Sequence, residues 1–184
     1  KQNTPELQRK LDIIRAQRGI QADWISSGII DNLVFERQMS KIVVKIKADP
    51  ATGITLDDIV NAECTLGGII HNNINFSTIW NSFNFDNKAP IADWSLKDNT
   101  IQQIIDNETE QAVVYTAIVA PQTASGAYLT LTINGKSYQS NDTLFSLLRR
   151  SSVHTYTVII KPSELSFTAT IKDWNDGGEY STEL

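Results

Sequence analysis

"TYTVIIKPSELSFTATIKDWNDGG", Thr155 to Gly178, reads as two strands around a short turn, and its pattern sets the fold class. Tyr156, Val158 and Ile160 fall on one face of the first strand. Leu165, Phe167, Ala169 and Ile171 share one face of the second, while Ser166, Thr168, Thr170 and Lys172 point the other way. A helix would space its apolar residues three and four apart; alternation of this kind is the period of a half-buried strand. "KPSE" supplies the turn. Trp174 breaks the pattern, because its parity places it on the polar face: either a bulge near Asp173 turns it inward or it lies over the edge of the sheet. A packed core or rim aromatic is preferred to a ligand-stacking one, and Asp173, Asp176 and the glycines Gly177 and Gly178 read as turn residues.

The same period recurs upstream. In "SKIVVKIKA" (40–48), Ile42, Val44 and Ile46 fall on one side and Lys41, Val43, Lys45 and Lys47 on the other, which predicts a strand with one wet face. "AVVYTAIVA" (112–120) is apolar in both phases, as expected at the centre of a sheet, and Pro121 ends it. In "AYLTLTINGKSYQS" (127–140), Leu129, Leu131 and Ile133 alternate with Tyr128, Thr130 and Thr132, and Asn134-Gly135 is a strong type I′ hairpin signal. "CTLGG" (64–68) reads as strand. "HNNINFSTIWNSFNFDN" (71–87), with Ile74, Phe76, Trp80, Phe83 and Phe85, reads as strands interrupted by a loop.

Helical signals are short. Thr4 is spaced as an N-cap with Pro5 at the first helical position, and Leu7, Leu11 and Ile14 follow at helical spacing before Gly19, so a helix is expected over Pro5–Ala16. Thr55 and Asp58 form a capping-box pattern. "NDTLFSLLRRSS" (141–152) offers Asn141 or Asp142 as the cap of one helical turn carrying Leu144, Leu147 and Leu148. Pro, Asp, Lys and Asn crowd together between Pro90 and Asn99, which places the expected domain boundary there: an N-terminal domain over 1–92 and a C-terminal domain over 93–184, each an antiparallel β-sandwich.

Composition narrows the function. With 184 residues, 41% of them hydrophobic, the chain can build a core unaided. Its one cysteine, Cys64, rules out an internal disulfide and a CxxC metal site and reads as a small buried hydrophobe. A net charge of -5 with scattered basic residues argues against a nucleic-acid partner. No apolar run approaches the roughly 20 residues needed to span a bilayer. Catalysis needs a nucleophile with a base, paired carboxylates, a metal cluster or a phosphate cradle. His71 and His154 have no partner at motif spacing, Asp57-Asp58 lacks the alternating ligands of a calcium loop and fits a helix N-terminus, and the Gly-Gly pairs at 67 and 177 open no helix. Arg149-Arg150 reads as a solvated helix end. No catalytic, cofactor-binding or metal-binding residue is expected, and no cofactor.

Taken in order, "DIIRA" (12–16), "FERQMSKIVVKIKA" (35–48), "YTAIVAPQT" (115–123), "LTLTINGKSYQS" (129–140) and the closing hairpin resemble the fimbrillin family of Bacteroidales, the subunits of type V pili. Arg37 stands where that family usually has a histidine, and "RRSSV" (149–153) where it commonly has a glycine. The resemblance implies an all-β protein of two antiparallel β-sandwich domains in tandem, transthyretin-like and Greek-key in type, with short helical turns. It implies a pilus structural, accessory or tip subunit made as a lipoprotein precursor and carried to the outer membrane. Its partners would be other pilin subunits joined by donor-strand exchange, together with a host protein or glycan. In the family's scheme an arginine-specific protease removes an N-terminal segment and a neighbour's strand fills the groove, which is physically sensible because one added strand satisfies both apolar surface and edge backbone. Only eleven residues precede "DIIRA", so the resemblance implies an N-terminal domain lacking part of the precursor, and it predicts extended backbone where the local pattern predicts helix. Only "EYSTEL" follows the last glycines, which favours a tip or accessory subunit over a stalk subunit. The competing expectation is a surface module binding carbohydrate or protein through the Asn-rich aromatic stretch 71–87 or Trp174.

Overall fold

A computed structural model describes residues 3–16, 35–77, 82–91, 94–123, 128–140, 147–162 and 165–174, with backbone alone described for 69–77, 82–91, 167, 169, 170, 172 and 173. The described elements are α1 (Pro5–Leu11), β1 (Ile14–Ala16), β2 (Phe35–Arg37), β3 (Ser40–Ala48), a 3-10 turn (Pro50–Thr52), α2 (Leu56–Asn61), β4 (Glu63–Gly67), β5 (Ile69–Ser77), β6 (Ser82–Ile91), β7 (Trp94–Ser95), α3 (Leu96–Asn99), β8 (Ile101–Asp106), β9 (Gln111–Val119), β10 (Gln122–Thr123), β11 (Tyr128–Ile133), β12 (Lys136–Gln139), β13 (Leu147–Leu148), β14 (Ser152–Ile160) and β15 (Leu165–Asp173). The protein is all-β with short helices.

Two sheets make the sandwich. One has the order β15-β14-β3-β9-β8 and the other β12-β11-β4-β7. Ile42, Val44 and Ile46 of β3 join Val113, Tyr115 and Ala117 of β9 and Tyr156, Val158 and Ile160 of β14 in one buried cluster. Cys64 and Leu66 of β4 and Leu129, Leu131 and Ile133 of β11 belong to the same cluster, with Ile59 of α2 and Leu96 of α3. Each fully buried Leu or Ile contributes about 1.5–3 kcal/mol relative to exposure.

The pairings cross the boundary expected at 92/93. Strand β3 lies between β9 and β14, and β4 lies beside β11. Both halves of the sequence therefore build one sandwich, because the apolar faces of β3 and β4 find their partners beyond residue 110. The polar stretch that suggested a boundary contains β7 and α3, whose Trp94 and Leu96 are buried in this core. The sandwich is not purely antiparallel either: β3 and β14 run parallel from Lys41↔Val153 to Ala48↔Ile160.

Local signals behave as their chemistry dictates. Thr4 accepts from the Leu7 N–H at 3.2 Å and starts α1, but the helix stops at Leu11, five residues short of the expected end. The adjacent β-branched Ile13 and Ile14 favour extended backbone, and the Ile13 carbonyl accepts from the Gln38 N–H at 2.7 Å. Ile14–Ala16 then pairs with Phe35–Arg37, so the helical and extended expectations each hold for part of the segment. Thr55 and Asp58 make the capping box of α2, and Asn134 and Gly135 take φ of 51 and 75 between β11 and β12. Strands β5 and β6 pair antiparallel from Ile69↔Ile91 to Ser77↔Ser82. The helical turn expected around Leu147 and Leu148 is instead β13, paired with β10. Gly19, Trp80, Asn141, Asp142, Leu144 and everything after Trp174 lie outside the described residues.

The two strands expected on either side of "KPSE" are β14 and β15, in unbroken register from Ser152↔Asp173 to Ile160↔Leu165. Trp174 keeps its parity, with no bulge in that register turning it inward, and is nonetheless buried at 6% exposure. It lies in a second small core with Met39, Ile118 and Val153, against which Leu11, Ile13, Val43 and Ala120 pack. The polar-looking face of the five-stranded sheet is thus apolar at one end.

Residues 93–184 expressed alone should show no cooperative thermal transition, since β9 and β14 lose β3; an independent sigmoidal melt of that fragment would restore the two-domain division. Trp174→Ala should cost about 3–5 kcal/mol in urea titration, whereas a loss under about 1 kcal/mol would mean the ring packs against little.

Candidate functional site

Sheet edges are where a strand protein meets partners, because their N–H and C=O groups lack strand neighbours. In the five-stranded sheet the edge strands are β8 and β15. Strand β8 pairs with β9 only as far as Ile101↔Thr116, so Ala117–Val119 extends beyond it. There Gln8 of α1 takes the place of a strand. The Ile118 N–H donates to Gln8 Oε1 at 2.8 Å, and Gln8 Nε2 donates to the Thr116 carbonyl at 3.5 Å, the long limit for such a bond. Gln8 is 2% exposed. One side-chain amide supplies the acceptor and donor that a neighbouring backbone would otherwise offer.

Residues 4–16 hold Gln8 there as a cover over the second core. Leu11 and Ile13 pack against Met39, Ile118, Val153 and Trp174. Arg37 pairs with Asp12, and its guanidinium lies 4.6 Å from the centre of the Trp174 ring, a cation–π contact worth about 1 kcal/mol. The same guanidinium adds to burial in holding the Lys41 ammonium below its ordinary value. The cover is incompletely satisfied. Asp12 Oδ1, Arg15 Nε and Gln38 Oε1 are buried without a hydrogen-bond partner, at about 1–3 kcal/mol for each such group. Ile14 and Phe35, diagonal neighbours on the β1–β2 ribbon, are 55% and 52% exposed.

Further along the same face the sheet is polar. Lys45 and Lys47 donate to Glu110 at 2.6 and 2.9 Å, and these bonds, Lys45 first, hold the Glu110 carboxyl below its usual range. At the opposite edge β15 offers nine residues without a register shift, and Ile171 is half exposed.

The residues singled out in the sequence do not converge on a reaction. His71 lies on β5. His154 is fully buried in β14, far in sequence and element from the Asp57-Asp58 turn of α2. Asp58 is engaged in capping: the Thr55 N–H and hydroxyl both donate to it and hold its carboxyl low. Cys64 is buried, and desolvation pushes its thiol up, away from the reactive thiolate. Tyr156 is raised by the same cause to about 12. Among the described residues no three His, Cys, Asp or Glu are grouped to hold a metal. Arg149 and Arg150 lie in a tight connection between β13 and β14, not at a helix end. Gln8 was missed in the sequence because a glutamine in an amphipathic helix reads as a solvated residue; only the missing continuation of β8 beyond Thr116 gives it a role.

Comparison with known proteins adds the lineage. No curated protein matches the sequence. Among solved structures, a candidate cell adhesion protein from Bacteroides uniformis aligns with a TM-score of 0.56 at 16% identity, covering 77% of this chain and 52% of that one. A second, from Bacteroides ovatus, aligns with a TM-score of 0.50 at 18% identity, covering 76% and 46%. The chain therefore spans about half the length of these structures, and the likeness is one of fold. A family described as fimbrillin-like matches residues 1–174, and the chain belongs to that fimbrillin-like family, one of structural pilus subunits and not of enzymes.

Proposed function

We propose that this chain is a fimbrial subunit of a bacterial cell surface, joined to its neighbours by strand addition at the edge that Gln8 now closes. Residues 4–16 are the replaceable piece. The observation that carries the reading is the Gln8 amide standing in for a strand at Thr116–Ile118. Around it lie buried polar atoms without partners and an apolar floor of Met39, Ile118 and Trp174. A neighbour's extended segment would bring a full run of backbone donors and acceptors, and alternate side chains for the floor. Affinity would come from the backbone and specificity from the apolar positions. Outer-membrane anchoring and adhesion to a host protein or glycan belong to the same proposal through family membership. The competing idea of a ligand stacked on Trp174 gains no support from a ring that is 6% exposed and covered by Arg37.

Removing residues 1–16 should yield a chain that either assembles or captures a synthetic extended peptide with alternating apolar residues, read against the untruncated chain by analytical ultracentrifugation and electron microscopy. Peptide binding should raise the melting temperature of the truncated chain by several degrees. A truncated chain that stays monomeric and ignores such peptides would remove the basis of the proposal. Gln8→Ala in the intact chain should cost about 1–3 kcal/mol, because it leaves the Ile118 N–H buried and unpaired.

A further inference from the structure

The connection from β13 to β14 ties several elements together within three residues. The Arg149 N–H donates to His154 Nε2 at 2.9 Å. Ser40 Oγ donates to the Arg149 carbonyl, the Ser151 N–H to the Met39 carbonyl at 3.0 Å, and the Trp174 N–H to the Ser151 carbonyl at 2.7 Å. Ser151 is held at φ 57, left-handed backbone that a non-glycine residue adopts only where its surroundings require it. The start of β3, the start of β14 and the end of β15 therefore meet on this turn, together with Met39 and Trp174 of the second core.

His154 is a titratable group buried inside that knot. The ring is fully buried. Because Nε2 accepts a backbone N–H, the neutral ring carries its proton on Nδ1, which is buried without a hydrogen-bond partner. The register partners of His154 are Ile42 on β3 and Ile171 on β15, both apolar. Lys41 and Val43 of β3 belong to the opposite face, and on the turn Arg149 is the charge that acts on the ring. Asp173 of β15, described by its backbone alone, lies two residues beyond Ile171 on the same face of the register. Burial, with the Arg149 charge, holds the imidazole below its ordinary value.

We infer that the Arg149–Ser151 turn is an acid-released latch on the second core. A proton taken from solvent onto His154 Nε2 removes the acceptor of the Arg149 N–H and sets a buried cation beside Arg149. The turn then opens, and with it the Ser151–Met39 and Ser151–Trp174 bonds. The sign follows from linkage. The open turn exposes a histidine of ordinary affinity and so binds the proton at a higher pH than the closed turn; opening is favoured progressively as pH falls below about 6.5. The histidine's contribution to closure is fully present above that value. This inference is independent of strand exchange, since it concerns the Arg149–Ser151 turn and requires no partner.

The test is residue-resolved hydrogen exchange by NMR on the full chain between pH 7.5 and 5, corrected for the intrinsic pH dependence of exchange, alongside imidazole nitrogen shifts. At pH 7.5 His154 should report the Nδ1–H tautomer. Protection at Arg149, Ser151 and Trp174 should fall together by up to tenfold per pH unit below about 6.5, while Leu131 of β11 stays constant. His154→Gln should abolish this dependence, and His71→Gln should retain it. Flat protection across the range, an equal loss at Leu131, or an unchanged profile in His154→Gln would each overturn the latch. If His154→Gln fails to fold, the nitrogen shifts and amide pattern of the unmodified chain decide the matter alone.

Discussion

The sandwich depends on β3 having a partner on both sides. β3 is the first long strand described in the chain, and its two neighbours, β9 and β14, come from residues 111–119 and 152–160. A strand buried on one face with ladders on both edges satisfies nearly all its backbone groups at once, so its position is strongly specified. The parallel partnership with β14 requires a crossover, and here the whole second sheet is supplied within that crossover, with β4 and β11 adjacent in it. Long-range closure of this kind explains why no polar segment in the middle of the sequence can act as a domain boundary.

The opposite face of the same sheet follows a different logic. At the β8 end, Lys45, Lys47 and Glu110 meet water and one another. At the other end Met39, Ile118, Val153 and Trp174 need cover. A helix delivering one glutamine to the edge is a local answer to two problems, since α1 shields the apolar patch while Gln8 closes the backbone that β8 leaves open. The ribbon beside it leaves Ile14 and Phe35 in solvent. The main core differs in the continuity of its apolar packing, although the Tyr115 hydroxyl within it is also buried without a partner.

Much of this was legible in the residues. Alternation located β3, β11, β14 and β15, Asn134-Gly135 fixed the turn between β11 and β12, and Thr55 with Asp58 marked the start of α2. The doubly apolar run at 112–120 announced a strand buried on both faces. What periodicity cannot report is which strand pairs with which, so the single sandwich was read as two. It also cannot report a cover. Trp174 has the parity of a face whose other residues are polar, yet at that end of the sheet the face is apolar and buries it. Leu147 and Leu148 have helical spacing with Leu144 but pair with Gln122 and Thr123, a tertiary contact outweighing a weak local preference. Gln8 could not be found at all, since its role exists only where β8 ends.

These separations have a consequence for stability. Opening free energies in one protein range from nearly zero to the global value, and regions that must rearrange are drawn from the low end. The main core has Leu66, Leu129 and Leu131 fully buried among continuous apolar neighbours, and it cannot be entered without dismantling both sheets. The cover rests on a four-residue buried cluster, one glutamine amide and the Asp12–Arg37 pair, with three buried polar atoms left without partners. Loss of any strand from the main core would break both its ladders and its apolar packing, and with them the fold. The cover lies on the outer face of the five-stranded sheet, against β9 where β8 falls short, so opening it disturbs only groups whose loss the sandwich can tolerate.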